Sequence, residues 1–218
     1  MKDPTDNYWR RRLEACREAL QRNNFTAFVA ETPDAARRVF VKEILPGLAV
    51  DSAAWGDSMT LETTGILDEI RRHPGVELIE TFDSSASRKE LLERRRRALL
   101  VDLFLAGSNA VTEAGQLVNL DMVGNRVGGI TFGPRIVVIV AGRNKIVSDL
   151  ESAVRRIKDY AAPANAIRHE GWKTPCIKTG RCMDCSSPQR ICNTWVIAEK
   201  SYPKERIKVI LINEDLGL

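Results

Sequence analysis

Histidine is scarce in this chain. Its 218 residues carry only His73 and His169. A metal site built on three or more histidines is therefore excluded, and neither histidine sits where a Ser-His-Asp hydrolase needs it. Long hydrophobic runs are missing too. No segment approaches the roughly 18 to 20 apolar residues of a membrane span. The opening MKDPTDNYWRRRL puts charges where a secretory leader needs its apolar stretch, so the sequence reads as cytoplasmic. No G-x-G-x-x-G lies between a strand and a helix, and no P-loop occurs. Charge of one sign is also lacking: 33 basic residues are interspersed with 29 acidic ones, for a net +4. That balance gives no nucleic-acid footprint.

What is present suits one large α/β domain with a small appendage. The expected division is an N-terminal helical segment, 1–24, and an α/β domain, 25–218, that includes a cysteine-rich loop at 170–193. Leu13, Cys16 and Leu20 fall on helical spacing within a helix over 5–23. A strand over 25–30 follows. Thr32-Pro33-Asp34 then opens a helix running to 45, with Thr32 as N-cap and proline in the first turn. Further strands are expected at 49–55, 76–80, 102–106, 116–120, 127–131, 135–141, 194–198 and 207–212. Helices are expected at 61–72, 87–100 and 148–160, the last burying Leu150, Val154 and Ile157, and 161–166 reads as a loop. Ser87 and Glu90 form a capping box. The Arg94–Arg97 run lies on a solvated helix face, from which one arginine can turn inward to an anion or a carboxylate. Alternating strands and helices imply a mostly parallel open sheet with helices on both faces.

The richest stretch runs from Gly107 to Gly142 and holds 7 of the 14 glycines. Short apolar runs alternate there with glycine and polar residues, a pattern that brings backbone close to a ligand. The candidate ligand-binding residues are Gly56, Asp57 and Ser58 after a strand, then Asn109, Asn125, Arg126 and Lys145. Glycine and small hydroxyls at a strand end suit a phosphate or carboxylate, and Lys145 suits an anionic group. In Thr112-Glu113-Ala114-Gly115, a carboxylate stands beside a glycine. Glu113 is either a general base or a structural partner of Arg126 or of an arginine from the 94–97 run.

Four of the five cysteines, Cys176, Cys182, Cys185 and Cys192, lie within 17 residues as C-x5-C-x2-C-x6-C. Cys182-Met183-Asp184-Cys185 is a two-ligand knuckle shared by zinc and iron–sulfur sites. Zinc sites more often separate two such pairs by a longer loop. One pair plus two singles is closer to the wrapping of a [4Fe-4S] cluster. Zinc is the alternative metal, and purely structural cysteines the third option. Lys178, Arg181 and Arg190 offset the thiolate charge. His169 reads as loop structure, and Cys16 as a buried helix residue.

The block from Asp102 to Asn165 resembles the signature of the LUD domain family, the lactate-utilisation proteins. The resemblance rests on Asn109-Ala110, Thr112-Glu113-x-Gly115, Leu117-Val118-Asn119, Gly124-Asn125-Arg126, Gly133-Pro134, Gly142-x-Asn144-Lys145 and Ala162-Pro163. It implies a fold similar to that of glucosamine-phosphate deaminase, ribose-phosphate isomerase and CoA transferase. It also implies an association with oxidation of L-lactate to pyruvate, in which family members work as subunits of an iron–sulfur oxidase complex. The superfamily link adds a nucleophilic part for Glu113, as in CoA transferases. The cysteine quartet departs from the simplest family members and points to a redox subfamily. The implied partners are a small carboxylate or phosphate-bearing ligand and oxidase subunits.

Overall fold

A computed structural model of the chain describes residues 4–169 and 171–218. Six strands form a wholly parallel sheet: β1 (Thr26–Ala30), β2 (Ser52–Trp55), β3 (Glu77–Ile79), β4 (Leu103–Gly107), β7 (Ile136–Gly142) and β10 (Ile207–Ile212), in the order β1-β10-β7-β4-β2-β3. A second sheet of β5 (Ala110–Thr112), β6 (Leu117–Asp121), β8 (Ile146–Val147) and β9 (Thr194–Ala198) runs in the order β8-β5-β6-β9. The sequence pattern did not announce this second layer, because β5 and β8 are only three and two residues long.

Strand periodicity decides which residues meet on each face. Ala54, Phe104, Val137, Ile139 and Val209 point to one side of the main sheet. There they pack with Leu13, Cys16 and Leu20 of α1 (Pro4–Arg22) and with Val111, Leu117 and Ile130. Ala53, Leu103, Leu105, Val138, Val140 and Ile210 point to the other. They meet Ala36 of α2 (Pro33–Val39), Phe40, Leu61 of α3 (Met59–Thr63), and Ile66 and Ile70 of α4 (Ile66–Arg72). Both faces of the sheet are therefore covered, as an all-parallel sheet requires.

The caps fall as the sequence predicts. Thr32 Oγ1 accepts from Ala35 N at 3.1 Å. Ser87 Oγ accepts from Glu90 N at 3.2 Å and opens α5 (Arg88–Arg97).

Four expectations are corrected. The helix expected over 61–72 is two pieces, α3 and α4, broken at Gly65. The stretch 127–131 is not a strand but belongs to α6 (Asn125–Thr131). Gly124, at φ 92°, turns the chain, and the Asp121 carboxylate accepts from Val127 N at 3.1 Å, anchoring the first turn. Val127 and Ile130 then face the core at helical spacing. On α7 (Leu150–Arg156), Val154 is exposed, and Ala153 with Ile157 makes the buried face. The supposed loop at 161–166 is α8 (Ala162–Ile167), with Pro163 in the first turn, where a missing N–H costs nothing. No helix among the described residues is long and apolar enough to cross a membrane.

Candidate functional site: a cationic cleft beside a cysteine hollow

The site follows from the sheet's topology. The chain leaving β2 turns into α3 on one face, whereas the chain leaving its neighbour β4 turns into the second sheet and α6 on the other. A crevice opens at the carboxyl ends of two strands that diverge in this way. A cleft of about 220 Å³ lies there, lined by the loops after β2, β4 and β7 and by Asn165, Arg168, His169 and Trp172.

Arg126 holds its centre together. Nη1 donates to the Gly107 carbonyl at 3.2 Å and to Asn119 Oδ1 at 2.6 Å. Nη2 donates to Asn109 Oδ1 and the Leu120 carbonyl, both at 2.9 Å. Asp121 stands 3.9 Å from Nε. These bonds lock together the residues after β4, β6 and the start of α6. Two glycines permit the closeness. A Cβ on Gly56 would meet Arg126 Cγ at 2.8 Å, and one on Gly107 would meet Ser58 Oγ at 2.4 Å.

Of the residues singled out in the sequence, Asp57, Ser58, Asn109, Asn125, Arg126 and Lys145 all line this cleft, and Gly56 packs beneath it against the Arg126 stem. Ser58 also caps α3, accepting from Leu61 N at 3.2 Å. Asp57 is ion-paired with Arg168. Glu113 lies elsewhere. Its carboxylate is exposed and accepts from Arg12 Nε at 2.7 Å, rather than from Arg126 or an arginine of the 94–97 run, and it is not among the residues that line the cleft.

Arg95, His169 and Trp172 line the cleft without having been picked out as ligand contacts. Arg95 is the arginine of the run that turns inward. Arg94, Arg96 and Arg97 pair with Asp83 and Glu90, with Glu93 and with Glu77. Arg95 instead lies over the Phe82 ring at 5.0 Å, and makes no hydrogen bond or ion pair to any described residue. Its place was legible in the 3.6-residue period, which puts one member of any four-residue run on the inner face. His169 stacks on Trp172 with ring centroids 5.1 Å apart. Burial, aided by Arg168, pulls its pKa below the usual imidazole value.

Lys145 is 5% exposed, and its Nζ donates to Thr60 Oγ1 at 2.8 Å. Burial first, then the charges of Arg156 and Arg126, push its pKa down to about 7. The described lining thus carries three arginines, Arg95, Arg126 and Arg168, and the partly protonated Lys145 against two side-chain carboxylates, Asp57 and Asp121. Its electrostatic demand is for an anion.

The cysteines stand next door. Pro175 opens α9 (Pro175–Thr179), which carries Cys176, and Thr174 Oγ1 lies 3.2 Å from Cys176 Sγ. Gly180, at φ 66°, ends that turn and sends the chain back through Cys182. Asp184 takes φ 45° between the knuckle cysteines, a conformation aspartate tolerates. Arg190 braces the return, donating to the Cys185 carbonyl at 2.6 Å and to the Cys192 carbonyl at 2.9 Å. As a result Cys176, Cys182, Cys185 and Cys192 line one small apolar hollow, all four half-buried with free thiols. Arg190 and Lys158 meet on Asp184 at its rim. Among the described residues, no three His, Cys, Asp or Glu side chains stand together as a metal-holding group.

The two places share a wall. Ile191 lines both the cleft and the hollow. Asn193 fastens the loop there: its N–H donates to the Asp121 carbonyl at 3.0 Å and its Nδ2 to the Met122 carbonyl at 3.1 Å, both residues of the cleft wall.

The parallel sheet with its strand-end crevice defines an open α/β fold, and the family is equally plain. The model of the LUD domain matches residues 13–212, so the chain belongs to the LUD domain family and is a lactate-utilisation-type protein in that general sense. No curated protein matches its sequence. Among solved structures it is similar to a DUF162 family protein from Deinococcus radiodurans, at 14% identity and TM-score 0.47, covering 94% of this chain and 98% of that one. It is also similar to ribose 5 phosphate isomerase A from Neisseria gonorrhoeae, at 15% identity and TM-score 0.33 over 56% of this chain and 57% of that one. A third likeness is to eIF2B beta from Chaetomium thermophilum, at 18% identity and TM-score 0.34 over 55% and 44%.

Proposed function

We propose that the chain is a redox subunit that binds a small carboxylate in its cationic cleft and carries a [4Fe-4S] cluster on Cys176, Cys182, Cys185 and Cys192. The observation that carries this reading is the shared wall: four free thiols line one hollow, and Ile191 belongs to both that hollow and the cleft. The donor set fits such a group. No three of the described His, Cys, Asp or Glu side chains stand together as a metal-holding group, so the choice of a cluster over zinc rests on the spacing of one knuckle plus two single cysteines. All-thiolate ligation by a knuckle plus two further cysteines suits an iron–sulfur cluster.

Such a cluster, when bound, supplies one-electron transfer. The chain's own residues do the rest. Arg190 and Lys158 hold positive charge beside the sulfurs, opposing the burial that pushes the Cys192 thiol up. Arg95, with no ion pair of its own, receives the ligand's carboxylate. Arg126 fixes the cleft's frame, and Ile191 with Trp172 keeps water from the side facing the cysteines. The half-buried cysteines lie within reach of a docking redox partner, which fits a place in a lactate-oxidising complex. The proposal puts no chemistry on Glu113, which its pairing with Arg12 makes a clamp between α1 and the second sheet. The test is anaerobic purification with iron and sulfide analysis. Brown protein with broad visible absorbance, lost in Cys182→Ser and Cys185→Ser, is expected. Colourless protein holding stoichiometric zinc would overturn the reading.

A further inference from the structure

We infer that Lys145 is a nucleophilic amine that forms an imine with the carbonyl of a 2-oxo acid held in the cleft. The inference rests on the proposed carboxylate cleft and goes beyond it by assigning the ligand's second functional group and the atom that meets it.

Four observations carry it. Lys145 is almost fully buried yet lines the cleft. No carboxylate pairs with it among the described residues, which is unusual for a buried lysine that serves only as a charge. Its one hydrogen bond, which amine and ammonium can both make, does not occupy the nitrogen lone pair of the amine form. The single proton of Thr60 goes to the Leu216 carbonyl at 3.0 Å, so Thr60 Oγ1 can only accept from Lys145 Nζ at 2.8 Å. That bond uses an N–H and leaves the nitrogen lone pair free. Finally, two permanent cations stand near and are themselves held in place. Arg126 has the four bonds described above, and Arg156 donates to the carbonyls of Asn144 at 3.0 Å and Asn109 at 2.7 Å. Their repulsion and the burial both disfavour the ammonium. A lysine desolvated beside cationic groups is the arrangement that makes an amine a nucleophile at neutral pH.

A 2-oxo acid matches both ends of the cleft. Its carboxylate suits Arg95, and its carbonyl carbon suits the amine. The Nζ lone pair forms the C–N bond as the carbonyl π bond breaks, and the oxygen takes the proton that Nζ gives up, leaving a neutral carbinolamine. A second proton, from solvent, carries the hydroxyl off as water and leaves the protonated imine. No oxidant or reductant is consumed. Asp57 and Asp121 are the carboxylates lining the same cleft, and both are already engaged, Asp57 by Arg168 and Asp121 by the Val127 and Met122 N–H groups.

The test uses the native chain and therefore needs no variant to fold. The protein is incubated with pyruvate and sodium cyanoborohydride at pH 7, and lysine peptides are mapped by mass. Binding of pyruvate and of L-lactate is measured in parallel by calorimetry. We expect one reduced adduct, on the Lys145 peptide, in at least about tenfold excess over any other lysine. L-lactate, which lacks the carbonyl, gives no adduct and suppresses the one from pyruvate. The labelling rate should rise with pH around a midpoint near 7. Pyruvate binding without an adduct on Lys145, or an adduct spread evenly over the exposed lysines, overturns the imine and leaves the carboxylate cleft standing. Absence of binding by either acid overturns both.

Discussion

Replacing Lys145 by methionine should raise the protein's stability most at the acid end of the neutral pH range and progressively less toward its alkaline end. The lysine's pKa is 10.5 in a free chain and about 7 in the fold. A base whose folded pKa is depressed costs stability wherever the folded state must hold its proton. Below pH 7 both states are protonated, and the cost is full: about 3.5 units at about 1.4 kcal/mol each, or about 5 kcal/mol. Between pH 7 and 10.5 the unfolded chain keeps a proton that the folded one has released. Wild-type stability therefore rises there by up to about 1.4 kcal/mol per pH unit. Methionine fills a similar volume and does not titrate, but it leaves Thr60 Oγ1 without its donor, a loss of about 1 kcal/mol. Lys145→Met should accordingly be several kcal/mol more stable than wild type at pH 6, and by pH 9 that advantage should have shrunk by about 3 kcal/mol. Urea unfolding of both chains at pH 6, 7, 8 and 9 reads the difference, in which groups common to the two cancel. Cys16 is such a group. Burial, then Glu113, raises its thiol pKa to about 12 from 9.0, so its contribution declines with pH only above 9. Parallel stability profiles for the two chains would refute the reasoning and leave Lys145 an ordinary ammonium.

Arg126→Lys removes a planar donor set from four buried acceptors and should cost at least about 3 kcal/mol in urea unfolding; a smaller loss would mean that another group takes over those oxygens. Gly115→Ala would place a Cβ 2.6 Å from the backbone of Ala19 and Leu20, at a φ of 80°. It should cost about 2 to 4 kcal/mol and release α1 to limited proteolysis, and an unchanged cleavage pattern would contradict the packing described. Arg95→Ala touches no hydrogen bond or ion pair among the described residues, so stability should change by no more than about 1 kcal/mol. Affinity for a small carboxylate should fall by about tenfold or more in calorimetry, and undiminished affinity would remove Arg95 from the site.

Most of the main sheet was legible because its strands are apolar runs of the right length bounded by caps and turns. The run from Ile136 to Val140 could be nothing but a central strand, and Thr32 and Ser87 cap where their spacing predicts. The reading failed where chemistry and period were both weak. Val127–Thr131 holds two glycines and three β-branched residues in five, which looks like a strand until the Asp121 carboxylate is seen to anchor its first turn. The second sheet escaped because strands of two or three residues have no period to detect. Six of the seven ligand-binding candidates converge on one cleft: Asp57, Ser58, Asn109 and Lys145 follow parallel strands at their carboxyl ends, and the Gly124 turn brings Asn125 and Arg126 to the same place, a consequence of topology that spacing alone hints at. Glu113 does not converge with them, because it follows β5, in the second sheet. The closeness of the cysteine loop to the cleft was invisible in the sequence. It depends on Asn193 gripping the carbonyls of Asp121 and Met122, residues some seventy positions away.

The central claim, that the cysteine quartet holds a redox group against the wall of a ligand cleft, is tested most directly by electron paramagnetic resonance of anaerobically purified, dithionite-reduced protein titrated with pyruvate. The account predicts a cluster signal whose line shape changes saturably as the acid binds, with the change lost in Arg95→Ala. A signal indifferent to the ligand, or no cluster signal in protein that binds the acid, would contradict it.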